Sequence, residues 1–115
     1  MISVIMSVYN NEDKLEEAIK SILNQTYKDL EFLIVDDKSS DSSLEILNKF
    51  KKIDSRIKIY SNSTNIGLTK SLNKLIKLTK GNLIARQDAD DFSSIERLDK
   101  QIKFMNKHNL DACTT

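Results

Sequence analysis

The 115-residue chain balances 18 Lys and Arg against 17 Asp and Glu, for a formal net charge of +1. Such mixed charge argues against a nucleic-acid domain, which needs a basic excess to displace counterions. The single cysteine, Cys113, excludes an internal disulfide and a cysteine-based zinc site, and the scarcity of glycine and proline excludes collagen-like or linker-rich architectures.

The length fits one domain with a real core, and no apolar run approaches the ~20 residues of a membrane span. Ile2 to Val8 follows Met1 without a basic leader and reads as a first strand, so a soluble, cytoplasmic α/β or α domain is expected. Leu15, Ala18, Ile19, Ile22 and Leu23 then recur with helical period. Leu30 to Val35 is a second strand, and its near-continuous apolarity predicts burial on both faces, as in a parallel sheet. Leu44, Leu47 and Phe50 form a second helical stripe, preceded by Ser42-Ser43-Leu44-Glu45 at capping-box spacing. A third strand spans Ile57 to Tyr60. The stripe Leu68, Leu72, Leu75, Ile76 and Thr79 predicts a third helix, closed by Lys80 and a C′ glycine, Gly81. Leu83 to Ala85 is the fourth strand. Ile95, Leu98, Ile102 and Met105 give the last helix, behind a second capping box, Ser93-Ser94-Ile95-Glu96.

This β-α-β-α-β-α-β-α order predicts a doubly wound, mainly parallel sheet of strand order 3-2-1-4, with helices on both faces. Its switch point lies between strands one and four, where open α/β sheets place their ligands. Three polar clusters then share the rim at the carboxyl ends of adjacent strands: Ser7-Val8-Tyr9-Asn10-Asn11, Asp36-Asp37-Lys38-Ser39-Ser40-Asp41 and Asp88-Ala89-Asp90-Asp91. Asn10 or Asn11 is also suited to cap the first helix, and Asp41 or Ser42 the second. Asp36 and Asp37 repel unless hydrogen bonds or a cation answer them; otherwise they are solvated loop residues. If the last segment stays extended, Asp88 and Asp90 point to one side, and two hard oxygen ligands there suit Mg²⁺ or Mn²⁺ holding a substrate diphosphate.

Five segments in chain order carry a family resemblance. Ile2 to Asn10 resembles the opening strand of the family 2 glycosyltransferases, inverting nucleotide-sugar enzymes of GT-A fold. Ser21-Ile22-Leu23-Asn24-Gln25-Thr26-Tyr27 resembles their S-x-L-x-Q-T-aromatic segment, and Leu33 to Asp41 their V-D-D-x-S-x-D turn. Asn65-Ile66-Gly67-Leu68 resembles N-x-G-L, and Ile84 to Asp91 is similar to I-A-x-x-D-A-D-D. The resemblance implies the Rossmann-like, nucleotide-binding half of a GT-A fold. It places Ser7 and Tyr9 at a nucleobase pocket, Asp37 on the N3–H of uracil, Asp88 near the ribose and metal, and Asp90 on the cation. Asp36 and Asp91 would back these residues or cap helices. Arg86 points the same way as Asp88 and would meet a phosphate or form a structural ion pair.

The family's general base and acceptor surface lie beyond the D-x-D segment, so residues 1–115 are expected to be a truncated nucleotide-binding half with no catalytic base of their own. A UDP-sugar donor, a carbohydrate or lipid-linked acceptor in surface polysaccharide assembly, a site at the inner face of the membrane, and a homodimer through the exposed fourth-strand edge are further expectations. The alternatives are a nucleotide-sugar-binding module without chemistry and a receiver-type phosphoacceptor domain. The receiver fits poorly, because its acidic pair follows the first strand, which here ends in Tyr9-Asn10. Gly67 and Gly81 cannot make a dinucleotide-binding G-x-G-x-x-G loop. The lysines between Lys70 and Lys80 read as a solvated helix face, His108 as a cap or surface residue, and Cys113 as a tail residue without a base to activate it.

Overall fold

A computed structural model describes residues 1–108 and contains the expected elements in the expected order. They are β1 (Ile2–Val8), α1 (Leu15–Leu23), β2 (Leu30–Asp36), α2 (Ser43–Ile53), β3 (Ile57–Ser61), α3 (Leu68–Ile76), β4 (Leu83–Arg86) and α4 (Arg97–His108). The strands form one parallel sheet of order β3-β2-β1-β4, with Ile2 opposite both Leu30 and Leu83. β4 is an edge strand in this sheet. Cys113 lies outside the described residues, and among those described no helix is long and apolar enough to cross a membrane.

Strand alternation explains the two cores. Val4, Met6 and Val8 of β1 and Phe32 and Ile34 of β2 face one way, packing with Leu15, Ala18, Ile19 and Ile22 of α1, Leu47 and Phe50 of α2, and Leu98 of α4. Ile5, Leu33 and Val35 face the other way, against Leu72 and Leu75 of α3. Helices therefore cover both faces, and every residue of β2 is buried. Emptying the site of the fully buried Phe32 by Phe32→Ala would cost about 3–5 kcal/mol.

At the amino end of the α3 face, Glu31 is buried beneath the sheet. It accepts hydrogen bonds from the Ser3 hydroxyl at 2.6 Å, Lys58 Nζ at 2.8 Å and the Lys80 amide at 2.7 Å. Burial would raise the pKa of Glu31, but the Lys58, Ser3 and Lys80 hydrogen bonds outweigh it and bring it to about 2.

The helix ends differ from the sequence expectation. α3 stops at Ile76, and Gly81 is not its C′ residue. Instead Gly81 donates its amide to Ser3 Oγ, and a Cβ there would sit 2.6 Å from the Ser3 nitrogen and 2.7 Å from the Met1 oxygen. Close backbone approach, not helix termination, is why position 81 is glycine. Neither capping box forms. Ser42 is the N-cap of α2 but makes no side-chain cap bond; the Ser43 amide is answered by Asp41 Oδ1. α4 begins at Arg97, so Ile95 lies before the helix and is exposed, while Ser93 turns inward to Gln87. At its end, the His108 ring lies 4.4 Å from that of Phe104.

Candidate functional site

The carboxyl ends of β1, β2 and β4 meet in a cleft of about 480 Å³ lined by Ser7, Tyr9, Asp37, Arg86, Asp88 and Asp90, with Asn65, Gly67 and Leu68 on the α3 side. All five side chains assigned from the sequence to nucleotide or metal are thus brought to one place. A larger groove of about 970 Å³ runs outside β4, between it and α4. It holds Asp91 and shares only Arg86 and Asp88 with the first.

The first two loops are stitched together. Asn10 adopts φ 51°, a conformation that asparagine tolerates, and its Oδ1 accepts the Ser40 amide at 2.8 Å. In return Ser39 Oγ accepts the Asn10 amide at 3.0 Å, and Asp41 Oδ2 accepts the Glu12 amide at 3.2 Å. Asn10 and Asn11 therefore join loops and do not cap α1, whose N-cap is Lys14. Tyr9, displayed by this platform, is 49% exposed and lines the cleft.

Asp36 and Asp37 part company by alternation. Asp36 turns away from the cleft; its Oδ2 accepts the Ser39 amide at 3.2 Å, and its Oδ1 is buried without a hydrogen-bond partner in the structure. Asp37 faces the cleft, where its Oδ1 accepts Asn62 Nδ2 at 2.9 Å and the Ile66 amide at 2.8 Å, and its Oδ2 accepts the Gly67 amide at 2.9 Å. Burial alone would raise the pKa of Asp37, but the Ile66, Asn62, Gly67 and Ser71 hydrogen bonds hold the carboxyl below its usual range. It is ionised and acceptor-only at neutral pH.

The Asn65-Ile66-Gly67-Leu68 segment, which carries no role in the sequence pattern, has one in the structure. Gly67 sits at φ 90° and ψ 166°, a region essentially reserved for glycine, as the N-cap of α3. That conformation aims two consecutive amides at Asp37. Asn62 and Ser71 were missed altogether, since each is a polar residue whose importance appears only when β3 and α3 close around Asp37.

Asp88 to Asp91 is not extended. The Asp91 amide donates to the Asp88 carbonyl at 3.1 Å, closing a turn, and Ala89 packs into the core at 4% exposure. Asp88 and Asp90 still reach the same cleft. Of the two roles open to Arg86, the ion pair is present: Nε lies 3.0 Å from Asp88 Oδ1, both side chains about half exposed. Among the described residues no three His, Cys, Asp or Glu side chains gather as a metal cage. Two carboxylates suit a cation that takes its remaining ligands from phosphate and water.

Residues 3–115 match the sequence profile described as Glycosyl transferase family 2. The chain belongs to that family. Among its relatives, EpsE of Bacillus subtilis is 45% identical over 108 residues, which are 93% of this chain and 39% of EpsE. The UDP-Glc:alpha-D-GlcNAc-diphosphoundecaprenol beta-1,3-glucosyltransferase WfaP of Escherichia coli is 38% identical over 91% of this chain and 41% of its own length. Among solved structures, TarS of S. aureus in complex with UDP-GlcNAc superposes with a TM-score of 0.86 at 30% identity, over 94% of this chain and 32% of the TarS chain. The chain thus spans about two-fifths of the curated relatives it matches, and its sheet is the Rossmann-like part of a GT-A glycosyltransferase fold.

Proposed function

We propose that this chain is the nucleotide-binding part of a glycosyltransferase that takes a UDP-sugar, with Mg²⁺ or Mn²⁺, and transfers the sugar to the hydroxyl of a carbohydrate or lipid-linked acceptor. The observation that carries the proposal is the convergence of Ser7, Tyr9, Asp37, Asp88 and Asp90 on one cleft of a family 2 chain. WfaP is named for UDP-Glc and a diphosphoundecaprenol acceptor, and TarS was solved with UDP and with UDP-GlcNAc, which favours uridine as the nucleoside.

In this reading the Tyr9 ring stacks on uracil beside Ser7. Asp37 Oδ2, which accepts the Gly67 amide, also accepts the uracil N3–H; an ionised acceptor makes that bond strong. Asp88 lies at the ribose and diphosphate, and Asp88 with Asp90 holds the cation. A bound divalent ion neutralises charge on the departing nucleoside diphosphate. Asp88 is already paired with Arg86, which lines the same cleft. No residue of 1–108 is assigned as the base that activates the acceptor; that task, with the acceptor surface, falls to the further length its relatives possess.

The test is calorimetric titration of UDP into the chain, first with Mn²⁺ and then with EDTA. Metal-dependent binding that is lost in Asp90→Asn, with folding unchanged, supports the reading. A folded chain with dispersed NMR signals that binds UDP in neither condition refutes it.

A further inference from the structure

Behind the Asp88–Asp91 turn lies a buried polar cluster that the proposed function leaves without a task. Gln87 is 3% exposed, and its Nε2 donates to the Asp88 carbonyl at 3.2 Å and the Asp91 carbonyl at 2.9 Å. Its Oε1 accepts the Ser93 hydroxyl at 2.5 Å and Arg97 Nη1 at 2.9 Å. Carbonyls only accept and a guanidinium only donates, so these partners fix which way the amide points.

The cluster is in turn fastened to α1 by the S-x-L-x-Q-T segment. The Ser93 amide donates to Ser21 Oγ at 3.1 Å. Fully buried Gln25 donates to the Ser94 carbonyl at 2.7 Å and accepts the Leu98 amide at 3.0 Å. The Thr26 amide donates to the Ile95 carbonyl at 2.9 Å. A continuous set of hydrogen bonds therefore runs from the end of α1 through residues 93–98 to both ends of the turn that displays Asp88 and Asp90.

We propose that Gln87 is a positioning residue for the metal and diphosphate end of the cleft. This inference rests on the function proposed above. The two aspartates are exposed or half-exposed, so their own contacts do little to fix their separation. The turn is closed by a single backbone bond, and the Gln87 amide ties its first and last carbonyls to one rigid group. A cation such as Mg²⁺, which demands near-ideal octahedral geometry, is sensitive to that separation. Groups that orient metal ligands typically cost about 10–100-fold in metal affinity when they are lost.

Gln87→Glu separates positioning from mere packing. It keeps the length of the side chain and its acceptors for Ser93 and Arg97, but it turns a carboxylate oxygen toward the two carbonyls and so no longer ties them. UDP would be titrated calorimetrically into the wild-type chain, Gln87→Glu and Asp90→Asn, each with Mn²⁺ and with EDTA, alongside thermal melts. The expected result is a Gln87→Glu chain that still folds but melts below wild type, unchanged UDP affinity in EDTA, and a Mn²⁺-dependent gain reduced at least tenfold. A wild-type Mn²⁺ gain in Gln87→Glu overturns the proposal, as does equal loss of affinity with and without the metal. Absence of a Mn²⁺ gain in the wild-type chain refutes the metal reading itself and takes this inference with it. If Gln87→Glu does not fold, Ser93→Ala serves in its place. It removes one hydrogen bond to Gln87 and is expected to lower the Mn²⁺ gain about threefold, and an undiminished gain overturns the proposal.

Discussion

Glu31 supplies a stability prediction whose size and pH window both follow from the structure. A carboxyl that titrates at about 2 in the folded chain, against 4.5 ordinarily, contributes about 3 kcal/mol to stability at neutral pH. Because the folded pKa is the lower one, that contribution is complete above 4.5 and is lost as the pH falls toward 2. In Glu31→Gln the amide oxygen still accepts from Ser3 and Lys80, and Lys58, already 40% exposed, returns to water at little cost. The variant is therefore expected to be less stable than wild type by about 2–3 kcal/mol at pH 7, with the gap closing as the pH approaches 2. At roughly 4–8 °C per kcal/mol for a domain near this size, the melting temperature falls by about 10 °C or more. Urea unfolding of both chains at pH 7, 4 and 3 measures the gap. A difference under about 0.5 kcal/mol at pH 7, or one that does not shrink at pH 3, would refute the assignment of Glu31 as a charged, hydrogen-bonded staple.

At the cleft, Tyr9→Ala is expected to weaken UDP binding by about 1–3 kcal/mol, the worth of a base stacked on an aromatic ring, while the exposed ring's loss leaves the melt unchanged. Asp37→Asn should reduce discrimination between UDP and CDP, since an amide can also donate to the cytosine N3. It should also cost about 1–3 kcal/mol of stability, because its NH₂ replaces an acceptor facing N–H donors; competition titrations and melts read the two effects separately. Gly67→Ala has open space for its methyl but forces alanine to φ 90°, at about 1–3 kcal/mol. Its UDP affinity is expected to fall with stability, because the Ile66 and Gly67 amides no longer converge on Asp37. Unchanged affinity in a destabilised chain would show that this loop does not set the carboxylate.

Much of this architecture was legible in the sequence because the decisive signals were local or periodic. Leu30 to Val35 announced a strand covered on both faces, and β2 is buried at every residue. The short strand-helix alternation restricted the sheet to a handful of orders. Adjacent carboxyl ends then bring Ser7, Tyr9, Asp37, Asp88 and Asp90 to one rim, and all five line one cleft. The departures from local expectation have a common cause: spacing along the chain offers each residue one use, and tertiary contacts give it another. Gly81 looks like a helix stop but is reserved for the approach of Ser3. Ser42 and Ser93 sit at capping spacing, yet Ser42 leaves the Ser43 amide to Asp41 and Ser93 is drawn inward by Gln87. Asn10 and Asn11 resemble caps but bridge two loops whose meeting depends on the β1–β2 pairing. Glu31 was invisible as a site because a single charged residue in an apolar strand carries no sign of the three donors, from β1, β3 and the α3–β4 connection, that answer it.

The two adjacent carboxylates after β2 show why the site is prepared in advance of its ligand. Alternation alone sends Asp36 and Asp37 to opposite faces, so their mutual repulsion is resolved by geometry and not by a cation. Asp37 then gathers donors from three places: Asn62 after β3, Ile66 in the following loop, and Gly67 at the head of α3. Asn62 is itself held by Lys74 Nζ at 2.8 Å and by Ser71 Oγ at 3.0 Å, so the loop cannot drift without breaking bonds to α3. Folding fixes both the charge and the position of this carboxylate, and a base entering beside Tyr9 would meet an acceptor already ionised and immobile. The ordering cost of recognition would then be borne by the fold and not by the binding step. At the other end of the cleft Gln87 does the same for the turn of Asp88 and Asp90, through backbone carbonyls where Asp37 relies on backbone amides.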